Sequence, residues 1–352
     1  MSPSPSEWSR TNQLILAAAA RLGVRGEALA SVHSDFFLRL VGPDGAATII
    51  SKTRSPFLTE VAQTLANNKF VSRERLGRAG LPVVAAELFD EAADPRRDPD
   101  AAARARACLA RHGRVVVKPN WGNRGIGVVT DVTGFDGLVA AYRFAREHDR
   151  DEEVLVEPQL AGVNLRVAVI AGQAVAAAEV RRPALVGDGR STIAGLIAAL
   201  NQDPRRGSWE RPSLQPLDVI EDELAAALLD ARGLALDSVL DADARVELCF
   251  EEAEVVDRSD EVHPGWLAAA AEAADRLGVD VAGVDLRGEL DELRTHPPGP
   301  ESRARLLEVN ALPALHLHAL PTVGEPRPVF EAFVAYCLQL PGAPLPRASI
   351  WI

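Results

Sequence analysis

One segment constrains the fold of this chain more than any other: a β-branched run that ends in a lysine and continues into a glycine-rich loop. Val115 to Lys118 has the pattern of a strand, and Gly122, Gly125 and Gly127 follow it. Glycine allows positive φ and close approach of the backbone to a ligand, which a loop that cradles phosphate needs. The lysine would supply a compact charge for phosphate oxygens. By itself the pattern also fits a plain hairpin turn, because it has neither the P-loop spacing nor a dinucleotide fingerprint.

Two apolar segments further along the chain carry oxygen-bearing side chains. One strand-like run ends at Asp285, and another contains Glu308 and Asn310. Residues two apart on a strand share a face, so Glu308 and Asn310 point the same way. Mg²⁺ takes one or two carboxylates together with phosphate oxygens and water, and this set therefore predicts a magnesium site. The alternative is a solvated acidic strand edge, which the apolar neighbours disfavour because an unpaired carboxylate there would be costly.

Composition excludes several classes of protein. The chain has 352 residues, 38 basic and 50 acidic side chains and a net charge of −12, which argues against nucleic acid and membrane surfaces as partners. No apolar run approaches the roughly 18 residues of a membrane span. Three widely spaced cysteines form neither a zinc motif nor a disulfide framework, which favours a reducing cytoplasm. The basic residues include only three lysines, Lys52, Lys69 and Lys118, which raises the question of what an ammonium does at each position.

The predicted elements mix helices and strands without strict βαβ alternation, which favours α+β lobes over one doubly wound sheet. The pattern predicts strands over Phe36–Val41 and Thr48–Ser51 and a helix over Ser55–Ala66. A hairpin is predicted from Asn164–Ile170 and Ala174–Val180.

Several short motifs, in their order and spacing, resemble the ATP-grasp carboxylate–amine ligases, in particular the ATP-grasp region of cyanophycin synthetase and of bifunctional glutathione synthetase. The resemblance runs from about Ser51 to Leu340. The matching pieces are Asn68-Lys69-Phe70, Ala79-Gly80-Leu81-Pro82-Val83, Lys118-Pro119 with the glycine-rich segment, Val156-Glu157 with Leu160-Ala161-Gly162, Gly187 to Ile193, Asn201 to Gly207, Asp260 to Pro264 and Val281 to Asp285. Each motif is weak alone, and together they are specific.

The resemblance implies an α+β ATP-grasp fold with three lobes. An N-terminal α/β lobe would span 1–68, and a central lobe with the glycine-rich flap would span 69–155. A C-terminal lobe with the metal ligands would span 156–342, followed by a tail at 343–352. ATP would lie between the central and C-terminal lobes.

The resemblance also implies roles for individual residues. Those expected to contact ATP are Lys69 and Lys118 at the phosphates, Gly122, Asn123, Arg124, Gly125 and Gly127 in the flap, Glu157, Gln159 and Leu160 at the adenine hinge, and Asn164. Asn164 stands where many relatives place an acidic residue for the ribose. Asp285, Glu308 and Asn310 match the magnesium ligands, and Arg166 and Arg206 match basic positions that face phosphate or the activated carboxylate.

The implied reaction is amide or peptide bond formation from a small-molecule carboxylate and an amine, on amino-acid-like substrates, with ATP and Mg²⁺ and through an acyl phosphate. Two other classes stay open, namely an ATP-grasp phosphotransferase and a nucleotide-binding protein without ligase turnover. A homodimer is also left open. The stretch Leu248–Glu254 and the pair Pro313-Ala314 depart from the family pattern near the acceptor side, so substrate identity is not inherited. The roles of Lys52 and of the acidic loop Glu251–Glu254 are open, and His316 and His318 would share a face if extended.

Overall fold

The computed structural model describes residues 8–29, 36–90, 92–122, 125–181, 184–202, 226, 229–230, 232–247 and 254–346. Within these ranges the helices include α1 (Arg10–Arg21), α2 (Glu60–Asn67), α3 (Lys69–Arg78), α4 (Pro99–His112), α5 (Phe135–Glu147), α6 (Ile193–Leu200), α7 (Pro264–Arg276), α8 (Leu290–Thr295), α9 (His316–Ala319) and α10 (Val329–Leu338). The strands include β1 (Arg25–Ala28), β2 (Phe37–Val41), β3 (Ala47–Ser51), β4 (Glu87–Phe89), β5 (Val115–Pro119), β6 (Val129–Val132), β7 (Val154–Pro158), β8 (Val163–Ile170), β9 (Gln173–Arg181), β10 (Ala184–Val186), β11 (Arg245–Glu247), β12 (Glu254–Asp257), β13 (Val281–Gly288) and β14 (Arg305–Asn310).

Among the described residues these strands form four antiparallel sheets. Their orders are β1-β2-β3, β4-β7-β5-β6, β12-β9-β8-β13-β14 and the pair β10-β11. Helices pack on the sheets instead of alternating with parallel strands, so the α+β prediction is confirmed.

The five-stranded sheet separates an apolar core from a polar cleft. On β8, alternate residues Leu165, Val167 and Val169 enter the core, while Asn164 and Arg166 point to the other face and line the cleft. The core is completed by α2 and by α7, whose Trp266 is fully buried and donates its indole N–H to a backbone carbonyl. The sheet thus holds its polar side chains in fixed register above a packed layer.

The four-stranded sheet has its own core. Helices α4 and α5 cover it, and Phe89, Leu138 and Tyr142 are fully buried there. The three-stranded sheet packs with α1 and α10 against the far end of β8 and β13. A smaller apolar cluster joins α6 to the pair β10-β11.

Most predicted elements lie where the sequence pattern places them, with two instructive differences. The hairpin of β8 and β9 is confirmed. Helix α2 starts only at Glu60, because Thr59 caps it by accepting from the N–H of Ala62, whereas Ser55 hydrogen-bonds Asp280. His316 and His318 belong to the short helix α9, so they do not share a strand face.

The lobe boundaries at 68, 155 and 342 stay predictions. Strand β7 spans the middle boundary and pairs with β4 and β5. Across the described ranges, no helix has the length and apolar character that a bilayer crossing demands.

Gly162, at the turn into β8, packs closely against the backbone at the end of β13. Its φ is +89°, and an added Cβ would stand 2.0 Å from the carbonyl oxygen of Gly288. Gly80, with φ +84°, has open space around it. We expect Gly80→Ala to cost about 1–2 kcal/mol of unfolding free energy from backbone strain alone. Gly162→Ala should cost at least about 3 kcal/mol more, because backbone must move. Urea unfolding of both variants checks this, and equal losses would contradict it.

Candidate nucleotide and metal site

The cleft between the four-stranded and five-stranded sheets gathers most of the sequence-predicted residues. Its described lining is Lys69, Val116, Lys118, Pro119, Gly122, Gly125, Ile126, Val128, Thr130, Glu157, Pro158, Gln159, Leu160, Asn164, Leu165, Arg166, Val180, Asp285, Leu286, Arg287, Leu307 and Glu308. The lining combines apolar side chains with charged ones, which suits a ligand with an apolar and an anionic part.

A buried ion cluster forms the inner wall of the cleft. Lys118 on β5 places its Nζ 2.8 Å from Oε1 of Glu157 on the neighbouring strand β7. Arg73, from α3, pairs with the other oxygen of Glu157, and its Nε donates to the Leu307 carbonyl at 2.8 Å. Each of the three charged side chains is less than a tenth exposed. The cluster therefore joins α3 and β14 to β5 and β7, the two central strands of the four-stranded sheet.

Burial and the neighbouring Arg73 charge lower the pKa of Lys118 to about 8, although Glu157 and Glu308 oppose the shift. Burial raises the pKa of Glu157, but the Arg73 and Lys118 charges outweigh this and hold it below its usual value. The carboxylate is therefore ionised near neutral pH, and Lys118 keeps its proton there by a small margin.

Lys69 lies across the cleft mouth at the first turn of α3. Its Nζ donates to the carbonyl oxygen of Gly122 and stands 3.7 Å from Oε2 of Glu308. The ammonium thus links the glycine-rich segment to the carboxylate end of β14.

The glycine-rich segment requires glycine at specific places. Gly125 and Gly127 have φ of +75° and +73°. A Cβ on Gly127 would lie 2.6 Å from Cγ of Pro119, and one on Gly122 would lie 2.9 Å from Cβ of the same proline. The turn therefore packs against the end of β5 and keeps its backbone at the cleft. Asn123 and Arg124, also predicted to contact ATP, lie outside the described residues.

The predicted metal residues come together on β13 and β14. Arg166 holds Asp285 through two bonds of 2.6 Å, from Nε to Oδ1 and from NH2 to Oδ2. The amide of Asn310 donates to Oδ2 of Asp285 at 3.1 Å and to Oε1 of Glu308 at 3.3 Å. One guanidinium and one amide thus bring both carboxylates to the same spot.

The two carboxylates have opposite pKa shifts. Burial raises the pKa of Asp285, the Arg166 charge opposes this, and the nearby Glu308 carboxylate adds to the rise. Burial raises the pKa of Glu308 as well, but the charges of Lys69, Lys118 and Arg166 outweigh burial and lower this pKa to about 2. Glu308 is thus the more strongly ionised of the pair.

The donor set fits Mg²⁺. It offers two carboxylates and an amide on adjacent strands, all hard oxygen ligands, at the end of a cleft with room for phosphate oxygens. The amide orientation of Asn310 follows its hydrogen-bond partners, and a half-turn presents its oxygen to the same place. Within the described part of the chain, no group of three His, Cys, Asp or Glu side chains forms a metal site.

The opposite end of the cleft is shaped by backbone and by an arginine. Gln159 donates its N–H to the Arg114 carbonyl at 3.1 Å. Arg287 donates from Nε to the Leu160 carbonyl at 2.7 Å and from NH1 to Oδ1 of Asn164 at 2.8 Å. The side-chain oxygen of Asn164 is therefore already an acceptor for Arg287.

Two charged residues, one in the cleft and one behind its wall, were not anticipated from the sequence. Arg287 stands two residues after Asp285 on β13, so strand periodicity could have identified it. Arg73 lies in a helix far along the chain from Glu157, and only the fold brings them together. Arg206 and the acidic residues Glu251 and Glu252 lie outside the described residues.

The charge balance of the cleft favours an anion. Of its described lining residues, Lys69, Lys118, Arg166 and Arg287 are cationic, while Glu157, Asp285 and Glu308 are anionic. Arg73 adds a fifth cation behind the wall. A chain with a net charge of −12 thus concentrates positive charge here, which attracts anionic ligands.

Comparisons with known proteins agree with this geometry. The chain is 35% identical over 222 residues to cyanophycin synthetase of a Synechocystis species, covering 61% of this chain and 24% of that protein. It is 28% identical over 330 residues to the bifunctional glutathione biosynthesis protein of Mannheimia succiniciproducens, covering 90% of this chain and 41% of that protein. The chain spans roughly a quarter to two fifths of the length of these relatives. No family model matches it.

The crystal structure of a bifunctional glutathione synthetase from Pasteurella multocida shares the fold. Its TM-score is 0.57 at 24% identity, covering 94% of this chain and 44% of that one. The protein thus has the ATP-grasp fold, as the sequence predicts. Its resemblance to cyanophycin synthetase and bifunctional glutathione synthetase is confirmed as well.

The Arg166–Asp285 pair gives a direct test of the site. We expect Arg166→Met to lower the free energy of unfolding by about 2–4 kcal/mol, because Asp285 then lacks its cation in a partly buried place. Adding Asp285→Asn should recover most of that loss. Arg276→Met removes an exposed partner of Glu272 and should cost less than about 1 kcal/mol. Urea unfolding compares them, and a double variant no more stable than Arg166→Met would refute the pairing.

Proposed function

We propose that this protein is an ATP-dependent carboxylate–amine ligase that forms an amide or peptide bond on amino-acid-like substrates. The observation that carries the proposal is the meeting of Lys69 and Lys118 with Asp285, Glu308 and Asn310 across one cleft. Two ammonium groups at one wall and hard oxygen donors at the other suit a nucleotide triphosphate and its divalent cation.

The proposed reaction has two steps. An oxygen of the substrate carboxylate attacks the γ-phosphorus of ATP, the bond to the β,γ-bridging oxygen breaks, and an acyl phosphate and ADP form. The amine then attacks the acyl carbon, phosphate leaves with the bonding pair, and the amine loses a proton. No protein nucleophile is needed, so the work of the chain is positioning and charge stabilisation.

Each described residue has a role in that scheme. Lys69 and Lys118 neutralise phosphate oxygens, and the turn at Gly125 and Gly127 brings backbone N–H groups close to them. Arg166 faces the transferring group while holding Asp285. Asp285, Glu308 and Asn310 would hold Mg²⁺. The ion supplies Lewis-acid neutralisation of the phosphates when bound. The backbone near Leu160 would meet adenine.

One assay separates this proposal from the two other classes. The protein is mixed with MgATP, pooled amino acids and small amines, and ADP, phosphate and product mass are followed. A product lighter than its two substrates by one water, with equal ADP and phosphate, supports the ligase. A phosphorylated end product would favour a phosphotransferase. Nucleotide binding without turnover across a broad screen would favour a binding protein.

Glu308→Gln tests the metal assignment. The variant keeps the shape of the side chain but loses its negative charge, which would weaken the binding of Mg²⁺. Turnover should then fall at least about 100-fold, because the charge on the phosphates in the transition state would no longer be neutralised. Glu272→Gln on α7 serves as a charge-matched control and should leave turnover unchanged. Turnover is measured as phosphate release, and unaltered activity of Glu308→Gln would remove Glu308 from the site.

The pKa of Lys118 predicts a pH dependence. With a value of about 8, the ammonium loses its proton as the pH rises through 8, and the affinity for an anionic nucleotide should fall from there towards pH 9.5. Lys118→Arg keeps its charge in this range and should show a flat profile, whatever its absolute affinity. Titration calorimetry with MgADP provides the measurement. A wild-type affinity that stays constant to pH 9.5 would contradict the role of Lys118.

Small-molecule carboxylate and amine substrates and a cytoplasmic location form part of the proposal. A homodimer remains open.

A further inference from the structure

Asn120, directly after β5, is a buried polar side chain near the cleft that the proposed reaction does not use. It is only 1% exposed. Its Oδ1 accepts from the backbone N–H of Phe70 at 2.8 Å, and its Nδ2 donates to Oε2 of Glu153 at 2.5 Å. Its own N–H donates to the Glu153 carbonyl at 3.0 Å. An amide buried in this way fixes whatever it contacts.

One of its contacts is the start of α3. The first N–H groups of a helix have no partner within the helix and must find one elsewhere. Asn68 accepts from Val71 at 2.9 Å, and Asn120 serves Phe70 from a different part of the chain. The carbonyl of Asn120 also accepts from the Nζ of Lys69 at 3.4 Å. Asn120 thus contacts both the helix that carries Lys69 and the ammonium itself.

The other contact is the loop before β7. Oε2 of Glu153 also accepts the indole N–H of Trp121 at 2.9 Å. Oδ2 of Asp149 accepts the backbone N–H of Trp121 at 2.7 Å, and the guanidinium of Arg150 lies 3.7 Å from the Trp121 ring centre. The start of the glycine-rich segment is therefore held from outside the cleft by the loop 149–153.

The contacts of Asn120 and of the loop 149–153 both bear on the position of the Lys69 Nζ. The Nζ of Lys69 donates to the carbonyl oxygens of Asn120 and Gly122, which stand on either side of Trp121. A displacement of residues 120–122 therefore displaces the acceptors that direct the ammonium. We propose that Asn120 and Glu153 are positioning residues that set the place of Lys69 and of the glycine-rich segment for the nucleotide phosphates. This inference rests on the proposed function for its nucleotide.

A double-substitution cycle tests the Asn120–Glu153 bond. Asn120→Asp sets a second carboxylate against Glu153, so the side chain should leave its place. The dissociation constant for MgATP should rise about tenfold, because a contact to a charged group is misplaced. Adenosine has no phosphates and should bind as to wild type. Adding Glu153→Gln removes one of the two carboxylates and supplies an amide donor, so the ATP affinity should recover at least about threefold. It should stay below wild type, because the indole N–H of Trp121 shares Oε2 of Glu153 as its acceptor and loses it.

The outcomes separate positioning from general stability. Equal losses for ATP and adenosine, no loss in Asn120→Asp, or no recovery in the double variant would each overturn the inference. Glu272→Gln serves as the charge control for Glu153→Gln and should bind ATP normally.

A nucleotide-free measurement keeps this inference distinct from the proposed function. Hydrogen exchange at the Phe70 amide should quicken at least about tenfold in Asn120→Asp and slow again, in part, in the double variant. Unchanged exchange would overturn the contact. A wild-type protein that binds no nucleotide would overturn the proposed function, while exchange at Phe70 still reports whether Asn120 fixes α3.

Discussion

The buried contact of Lys118 and Arg73 with Glu157 is the interaction on which the rest of the structure depends. Three charges with almost no exposure to water are tolerable only when each is paired, so β5, β7 and α3 must keep one arrangement. Arg73 extends that constraint to β14 through the Leu307 carbonyl. Arg73 therefore links the two sheets that form the cleft, because it contacts Glu157 on one sheet and the Leu307 carbonyl on the other.

A second consequence is electrostatic. Glu157 is paired with Arg73 and Lys118 inside the cleft wall. The charges of Lys69, Lys118 and Arg166 together lower the pKa of Glu308 to about 2. Arg166 and Asn310 likewise hold Asp285 beside Glu308. The cations that suit phosphates thus keep Glu308 ionised and hold Asp285 close beside it.

Local chemistry explains which parts of the fold and site could be predicted from sequence. Strand periodicity placed Glu308 and Asn310 on one face, and the order of the glycines predicted the turn against β5. Long-range partners were out of reach. Arg73 meets Glu157 only because α3 packs between two sheets, and Asn164 is engaged by Arg287 from another strand. The start of α2 was misplaced because Ser55 has a tertiary partner in Asp280, which a local capping pattern does not reveal.

The sequence by itself determined the α+β character, the β8–β9 hairpin and the place of Lys118 at the cleft, because these follow from periodicity, turn chemistry and residue type. The place of Lys69 at the cleft was implied by the resemblance to the ATP-grasp ligases. Only the tertiary structure decided which charged groups meet. Glu157 pairs with Lys118 inside the cleft wall, whereas Glu308 lies near Lys69 in the cleft. Lys69 also donates to the carbonyl of Gly122 in the glycine-rich segment. Lys52, the third lysine, donates to Ser9 in the N-terminal part. The reason is physical. Pairing of buried charges depends on distances between elements far apart in the chain, and those distances exist only after the sheets have packed.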